Sequence, residues 1–141
     1  VKYPPAVKPG TICSEPTISY DFYPTFVDLA HANLPVGQTI DGLSLKPLLE
    51  DSAARLARNA IHWHYPHYHG STWTPGSAIR DGDWKLVQFY EYDKVELYNL
   101  KDDIGESKDL SKTHPEKTAE LLAKLKAMQE ETGSKLPYPK S

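Results

Sequence analysis

Alternating apolar and polar residues in the second half of the chain predict short strands. Ile61–Tyr65 alternates in this way and is stopped by Pro66, which cannot continue a ladder of hydrogen bonds. Further strand-like runs follow at 77–80, 83–90 and 95–100. Only short connections separate the last three runs, so we predict an antiparallel β-meander of about four strands.

The clearest local signal in this meander is the pair Asp81-Gly82. Asp-Gly between two strand-like runs is typical of a two-residue type I′ hairpin, because both turn positions need positive φ. This turn predicts that Arg80 lies opposite Asp83, and Ile79 opposite Trp84.

Apolar residues at helical spacing predict a C-terminal helix that packs on the sheet. They are Leu121, Leu122, Leu125 and Met128. Thr113 to Glu116 fits a capping box with Pro115 in the first turn, and Gly133 is expected to end the helix.

The first half of the chain alternates between helical and loop-forming signals. Residues 1–18 are rich in proline, which predicts a loop or the end of a strand. Ser19 or Asp21 is expected to cap a helix that runs to about residue 30, with Pro24 in its first turn. Phe22, Phe26 and Leu29 give this helix an apolar face that another surface must cover.

The rest of the first half contains a leucine-rich stretch and then a short stretch rich in alanine and arginine. Residues 33–50 predict a leucine-pinned loop with at most one helical turn, and 53–58 a short helix or hinge that marks a boundary. The predicted fold class is α+β: an antiparallel meander of about four strands on a C-terminal helix, preceded by a strand-helix-loop piece of a larger α/β domain.

Composition narrows the function classes. The 141 residues carry a net charge of -3 from interspersed acidic and basic side chains, which gives no electrostatic reason to expect a nucleic acid or membrane partner. No apolar run approaches the roughly 20 residues of a membrane span. A single cysteine, Cys13, cannot form an internal disulfide.

Three segments in this order carry a family resemblance. They are Asp21 with Pro24-Thr25 and Asp28-Leu29-Ala30; Asp41-Gly-Leu-Ser-Leu45 with Pro47-Leu-Leu49; and Glu96-Leu-Tyr-Asn-Leu100 followed by Asp103, Glu106 and Leu110. Together they resemble the C-terminal part of a formylglycine-dependent, arylsulfatase-like sulfatase of the alkaline phosphatase-like superfamily. His31 departs from this pattern, because relatives usually have glycine there.

The resemblance implies two domains. Residues 1–58 would be the tail of the catalytic α/β domain, and 59–141 the smaller C-terminal subdomain. The parent protein would be a sulfuric ester hydrolase acting on sulfated carbohydrates or aryl sulfates, in the periplasm or secreted. Its partners would be the remainder of the catalytic domain and a sulfated small molecule or glycan.

The resemblance also implies that the catalytic residues of the family lie outside this chain. The family's nucleophile is a Cys or Ser in Cys/Ser-x-Pro-x-Arg that is converted to formylglycine, and it works with a bound calcium ion. Cys13 lies in Cys-Ser-Glu-Pro-Thr, which has no arginine and has its proline one position late. No family calcium ligand maps to this chain, so we expect the isolated chain to contain no catalytic or metal-binding residue and to be inactive.

One segment carries residues suited to binding chemistry: His62-Trp-His-Tyr-Pro-His-Tyr-His69. In one interpretation it contacts a sulfated sugar, with His67, His69, His64 and Trp73 as the candidate substrate-binding residues. In another, the histidines are half-buried structural residues at a domain boundary. In a third they bind a metal ion, although calcium prefers oxygen ligands.

Two further expectations follow from the same residues. The chain could be an autonomous carbohydrate-binding module without catalysis, in which Trp, Tyr and His recognise the sugar. If it is the last part of a sulfatase, the Phe22/Phe26/Leu29 face is left uncovered, and self-association is expected.

Overall fold

A computed structural model describes residues 1–70 and 74–137 of the protein. The chain divides into two compact units, Val1–Arg58 and Asn59–Ser141.

The first unit is built from short helices and loops, and the strand predicted for its strand-helix-loop piece does not form within residues 1–58. It contains a 3-10 helix, Ser19–Asp21, followed by α1, Phe22–Leu29, and α2, Lys46–Glu50. Pro24 lies in the first turn of α1, and α2 supplies the single helical turn predicted for the leucine-pinned loop. Residues 53–58, predicted as a short helix or hinge, form no helix.

Helix α1 ends in a left-handed residue. His31 has φ 53, a region that favours glycine, and the amide of Ala32 donates to the Val27 carbonyl at 3.0 Å. The departure at His31 therefore falls where the backbone has a physical reason to prefer glycine.

The Asp21 side chain does not cap α1 as predicted. It forms the centre of a set of hydrogen bonds and an ion pair, which we call the Asp21 hub. The Asp21 carboxylate is fully buried and accepts from the amides of Ile18 at 2.9 Å and Leu43 at 3.0 Å. It also forms an ion pair with Arg58, whose guanidinium lies 5.6 Å from the centre of the Tyr20 ring. Asp21 thus joins the start of α1 to two distant parts of this unit.

Two of the segments that carry the family resemblance meet here. The Leu45 amide donates to the Thr25 hydroxyl at 2.8 Å, and the Ser44 hydroxyl to Asp28 at 2.7 Å. Gly42 is required beside them, because a Cβ at this position would lie 2.2 Å from the Tyr20 carbonyl oxygen. The residues that match the family pattern therefore stabilise the packing of α1 against the 41–45 segment.

The Asp21 hub predicts an acid-sensitive first unit. Burial alone would raise the pKa of Asp21, but the hydrogen bonds from Arg58, Ile18 and Leu43 hold it below the ordinary value of 3.8. A depressed folded pKa means that the stabilisation is fully present above the unfolded value and lost as pH falls through the folded one. We expect amide protection in residues 19–30 to fall on acidification below about pH 4. Hydrogen exchange tests this, and an equal acid response in Asp21→Asn would contradict it.

The second unit contains the predicted meander and helix. Strands β1, Ile61–Tyr65, β2, Gly76–Asp81, β3, Trp84–Phe89, and β4, Lys94–Asn99, form one antiparallel sheet in sequence order. Helix α3, Pro115–Glu131, packs on it. The predicted four-strand sheet on a C-terminal helix is confirmed, as is the α+β class.

The predicted hairpin register is wrong by two residues. Asp81 pairs with Trp84, Arg80 with Lys85 and Ile79 with Leu86, so the two turn residues are Gly82 and Asp83. Of these two, only Gly82 has positive φ, as in a type II′ turn with glycine first. Arg80 donates to the Gly82 carbonyl at 3.1 Å, in place of the predicted pairing with Asp83.

The core explains the observed register. Ile79, Leu86 and Leu97 lie in one row across β2, β3 and β4, all fully buried. Leu121 and Leu125 of α3 cover this row, and Leu122 and Met128 pack at its edge. The opposite face of the sheet carries a second cluster, Ala78, Val87, Tyr98 and Leu100.

The predicted C-terminal end of helix α3 is confirmed, but the predicted cap at its N-terminus is not. Thr113 donates to the Leu110 carbonyl at 3.1 Å, and no side chain caps α3, so the capping-box prediction is wrong. Gly133 has φ 61, and the Ser134 amide donates to the Gln129 carbonyl at 2.9 Å, as in a Schellman motif. In the part of the chain that the structure describes, no helix is both long enough and apolar enough to span a bilayer.

Candidate functional site

The alternation of β1 separates its histidines from its aromatic residues. His62 and His64 pair with Ile79 and Ser77, on the sheet face that carries α3. Trp63 and Tyr65 therefore lie on the opposite face, where each is 41% exposed. The histidine-rich segment thus contributes to two surfaces with different environments.

His64 lies in a hydrogen-bond network inside the second unit. Its Nδ1 is 2.7 Å from the Ser77 hydroxyl and 2.9 Å from the Tyr90 hydroxyl, and Gln129 donates to the same Tyr90 oxygen at 2.9 Å. Its Nε2 donates to the Lys135 carbonyl at 3.1 Å, so in the neutral ring Nδ1 is the acceptor. Both ring nitrogens are used within the protein, which favours the structural interpretation for this residue.

His62 is half-buried beside α3. Burial lowers its pKa, against the opposing effect of Asp81 and Glu131. The lowered pKa favours a neutral ring at neutral pH, which suits packing against the helix better than binding an anion.

His67 and His69 lie in the loop after β1, and both are exposed. Tyr65 joins them: its ring meets the His67 ring at 5.6 Å and 86°, and the His69 ring at 6.4 Å and 71°. Edge-to-face contacts of this kind hold the rings in fixed relative orientations. Trp63, two residues before Tyr65 on the same strand face, extends this set of exposed rings.

We call Trp63, Tyr65, His67 and His69 the aromatic–histidine surface. Imidazole nitrogens can donate to sugar hydroxyls or sulfate oxygens, and the faces of Trp and Tyr can stack on a pyranose ring. Of the residues predicted to bind substrate, His67 and His69 belong to this surface, and His64 lies on the other side of the sheet. Trp73 lies outside the described residues.

Sequence reasoning missed two members of this surface. They are Trp63 and Tyr65, which are not among the candidate substrate-binding residues named from the sequence. The period of two along β1 could have identified both, because residues that alternate with two inward-facing histidines must face outward.

The described residues do not fit a calcium site. Within residues 1–70 and 74–137, no three His, Cys, Asp or Glu side chains form a cluster suited to a metal ion. Asp21 is occupied by the Arg58 ion pair, and Asp103 accepts from the amides of Ser107 and Lys108 at 2.8 Å each. These aspartates are scaffold residues, and the predicted metal interpretation of the histidines gains no geometric support.

Comparison with known proteins identifies relatives over most of the chain. The model of the family described as N-sulphoglucosamine sulphohydrolase, C-terminal, matches residues 1–134. A sulfatase from Formosa agariphila is 36% identical over 134 residues, covering 88% of this chain and 24% of that protein. An N-acetylglucosamine-6-O-sulfatase from Bacteroides thetaiotaomicron is 34% identical over 137 residues, covering 93% of this chain and 24% of that protein.

Solved structures give the same result. A structure of a protein in complex with its substrate D-glucosamine-2-N,6-O-disulfate matches with a TM-score of 0.80 and 33% identity, over 99% of this chain and 29% of that one. The chain thus spans about a quarter of the length of the two curated relatives named above.

Proposed function

The chain belongs to the N-sulphoglucosamine sulphohydrolase C-terminal family of sulfatases, and we propose that it is the C-terminal part of an enzyme that hydrolyses sulfate esters of carbohydrates. Residues 1–58 would complete the catalytic α/β domain, and 59–141 would form its C-terminal subdomain. The formylglycine nucleophile and the calcium ion would be supplied by the part of the enzyme outside these 141 residues.

The observation that carries this proposal is the exposed aromatic–histidine surface. It exposes two aromatic rings that can stack on a sugar and the His67 imidazole for polar contacts, a combination suited to a sulfated pyranose. The names of two relatives are consistent with such a substrate: one is an N-acetylglucosamine-6-O-sulfatase, and one binds D-glucosamine-2-N,6-O-disulfate.

The remainder of the enzyme would also cover the apolar face of α1. Phe22 is 51% and Phe26 64% exposed in this structure, and their rings stack at 6.1 Å with 14° between planes. Aromatic side chains of this size dominate the energetics of packed interfaces. We therefore propose the remainder of the catalytic domain as the partner of this face.

The proposal is tested by sulfate release and by one loop substitution in the whole protein. We expect the whole protein to release sulfate from sulfated hexosamines. If it hydrolyses none of the saccharides tested, the proposal is contradicted. His67→Ala should lower kcat/KM on the preferred sulfated sugar about tenfold, because leaving a sugar hydroxyl unpaired in the site costs about 1–3 kcal/mol. The loss should be smaller on a small aryl sulfate, which lacks the sugar.

The matched control is His31→Asn, at an exposed histidine outside the loop, where asparagine tolerates the positive φ. This variant should keep full activity on both substrates. A lower melting temperature in His67→Ala with an unchanged kcat/KM would assign His67 to the structural alternative.

A further inference from the structure

A cavity of about 580 Å³ lies at the end of the sheet where β1 finishes and β2 begins. The loop after β1, the turn after β3 and the segment after α3 line it together. Its volume falls within the range of about 300–1,000 Å³ typical of small-molecule sites. Three prolines in its wall restrict the backbone and favour a preformed shape.

The lining combines an aromatic ring with polar groups. Phe89 and Leu136 provide apolar surface, and Tyr68 and Glu91 provide hydrogen-bonding groups. Tyr68 donates to one carboxylate oxygen of Glu91 at 2.8 Å, which orients that carboxylate. An aromatic ring combined with hydrogen-bonding groups suits the apolar face and the ring hydroxyls of a pyranose.

The charge of the cavity is opposite to that required for sulfate. Glu91 and Asp93 line it, and none of the described lining residues is Lys, Arg or His. Lys94 approaches the Phe89 ring, but its ammonium group is paired with Glu96 at 2.6 Å. Two carboxylates that have no basic partner within residues 1–70 and 74–137 repel a sulfated sugar and attract an ammonium group.

We propose that this cavity binds an unsulfated pyranose, with preference for one that carries a free amino group. The same loop, residues 66–70, places His67 and His69 in the aromatic–histidine surface and Tyr68 in the cavity. The two sites therefore differ in the charge of the sugar that they recognise. A saccharide whose sulfated and unsulfated units alternate would present the chemistry that each requires.

Binding to the 141-residue chain tests this proposal without any sulfatase reaction. Glucosamine, N-acetylglucosamine and N-sulfoglucosamine differ only in the nitrogen-containing group on C2, which is a cationic ammonium, a neutral amide and an anionic sulfamate respectively. We expect glucosamine to bind about tenfold or more tightly than N-sulfoglucosamine, with the neutral sugar between them, because like charge disfavours the anionic one. Titration by NMR should shift the amides of residues 88–93 and 136.

Charge-removing variants sharpen the test. Glu91→Gln and Asp93→Asn keep the side-chain shapes, and asparagine tolerates the φ of 45 at position 93. Each should reduce the preference for glucosamine over N-sulfoglucosamine at least about threefold and leave N-acetylglucosamine binding nearly unchanged. Glu130→Gln, on the exposed surface of α3, is the matched control and should change nothing.

Three outcomes would overturn the inference: N-sulfoglucosamine binding as tightly as glucosamine, no effect of either charge-removing variant, or a lysine-containing tripeptide binding as tightly as glucosamine. The last would show a site for cations in general. Because no sulfate release is measured, failure here leaves the proposed sulfatase function intact, and failure of sulfate release leaves this inference intact.

Discussion

Replacing Asp21 with alanine should destabilise the Val1–Arg58 unit by about 3–5 kcal/mol, the usual cost of removing one partner from a buried ion pair. The Asp21 side chain has no exposed surface, and that of Arg58 is 11% exposed. Arg58 Nη1 is already buried without a hydrogen-bond partner among the described residues. Losing the carboxylate would leave a buried guanidinium unpaired. It would also leave the amides of Ile18 and Leu43 without a hydrogen-bond acceptor.

Hydrogen exchange of residues 19–30 measures this effect, with Asp41→Ala, at an exposed aspartate, as the control. The control should change stability by less than about 0.5 kcal/mol. The double variant Asp21→Ala/Arg58→Met should be less destabilised than Asp21→Ala alone, because it removes both charges. Unchanged protection in Asp21→Ala would show that the hub does not support this unit.

Leu125→Ala should destabilise the second unit by about 2–5 kcal/mol, the range for truncating a fully buried leucine. Leu125 packs with Leu121 onto the row Ile79, Leu86 and Leu97, so truncation leaves a cavity between helix and sheet. Alanine is the strongest helix former, and the loss therefore reports packing and not helix propensity.

Leu122→Ala is the matched control, because the same chemical change is made three residues away on the same helix, at a partly buried position. Chemical denaturation should show a clearly smaller loss for Leu122→Ala than for Leu125→Ala. Equal losses would mean that the two side chains contribute equally to the core, contrary to their burial.

The hairpin shows where local reasoning was limited. Asp81-Gly82 correctly predicted a two-residue turn, but a turn one residue later is equally compatible with a glycine of positive φ. Both alignments keep Ile79, Trp84 and Leu86 on the same sheet face. Only the packing of the sheet onto α3 selects between them, because the observed register brings Ile79, Leu86 and Leu97 into one buried row.

For the candidate site, too, the sequence identified the segment, but the contacts within it depend on the tertiary structure. The histidine-rich segment was recognisable from the sequence as unusual, and residues 67 and 69 were separated from 62 and 64 by Pro66. The partners of His64 could not be predicted, because Ser77, Tyr90 and Lys135 come from three different parts of the chain. The cavity beside Tyr68 also requires three separate segments to meet.

The sequence by itself determined the order and type of the main elements of this protein and its family resemblance. These depend on local periodicity, on Pro and Gly at element ends, and on short motifs, all of which act over a few residues. The tertiary structure alone decided the strand register, the use of Asp21 as a hub in place of a helix cap, and which histidines face solvent. Each of these depends on contacts between residues far apart in the chain, whose energies no local pattern contains.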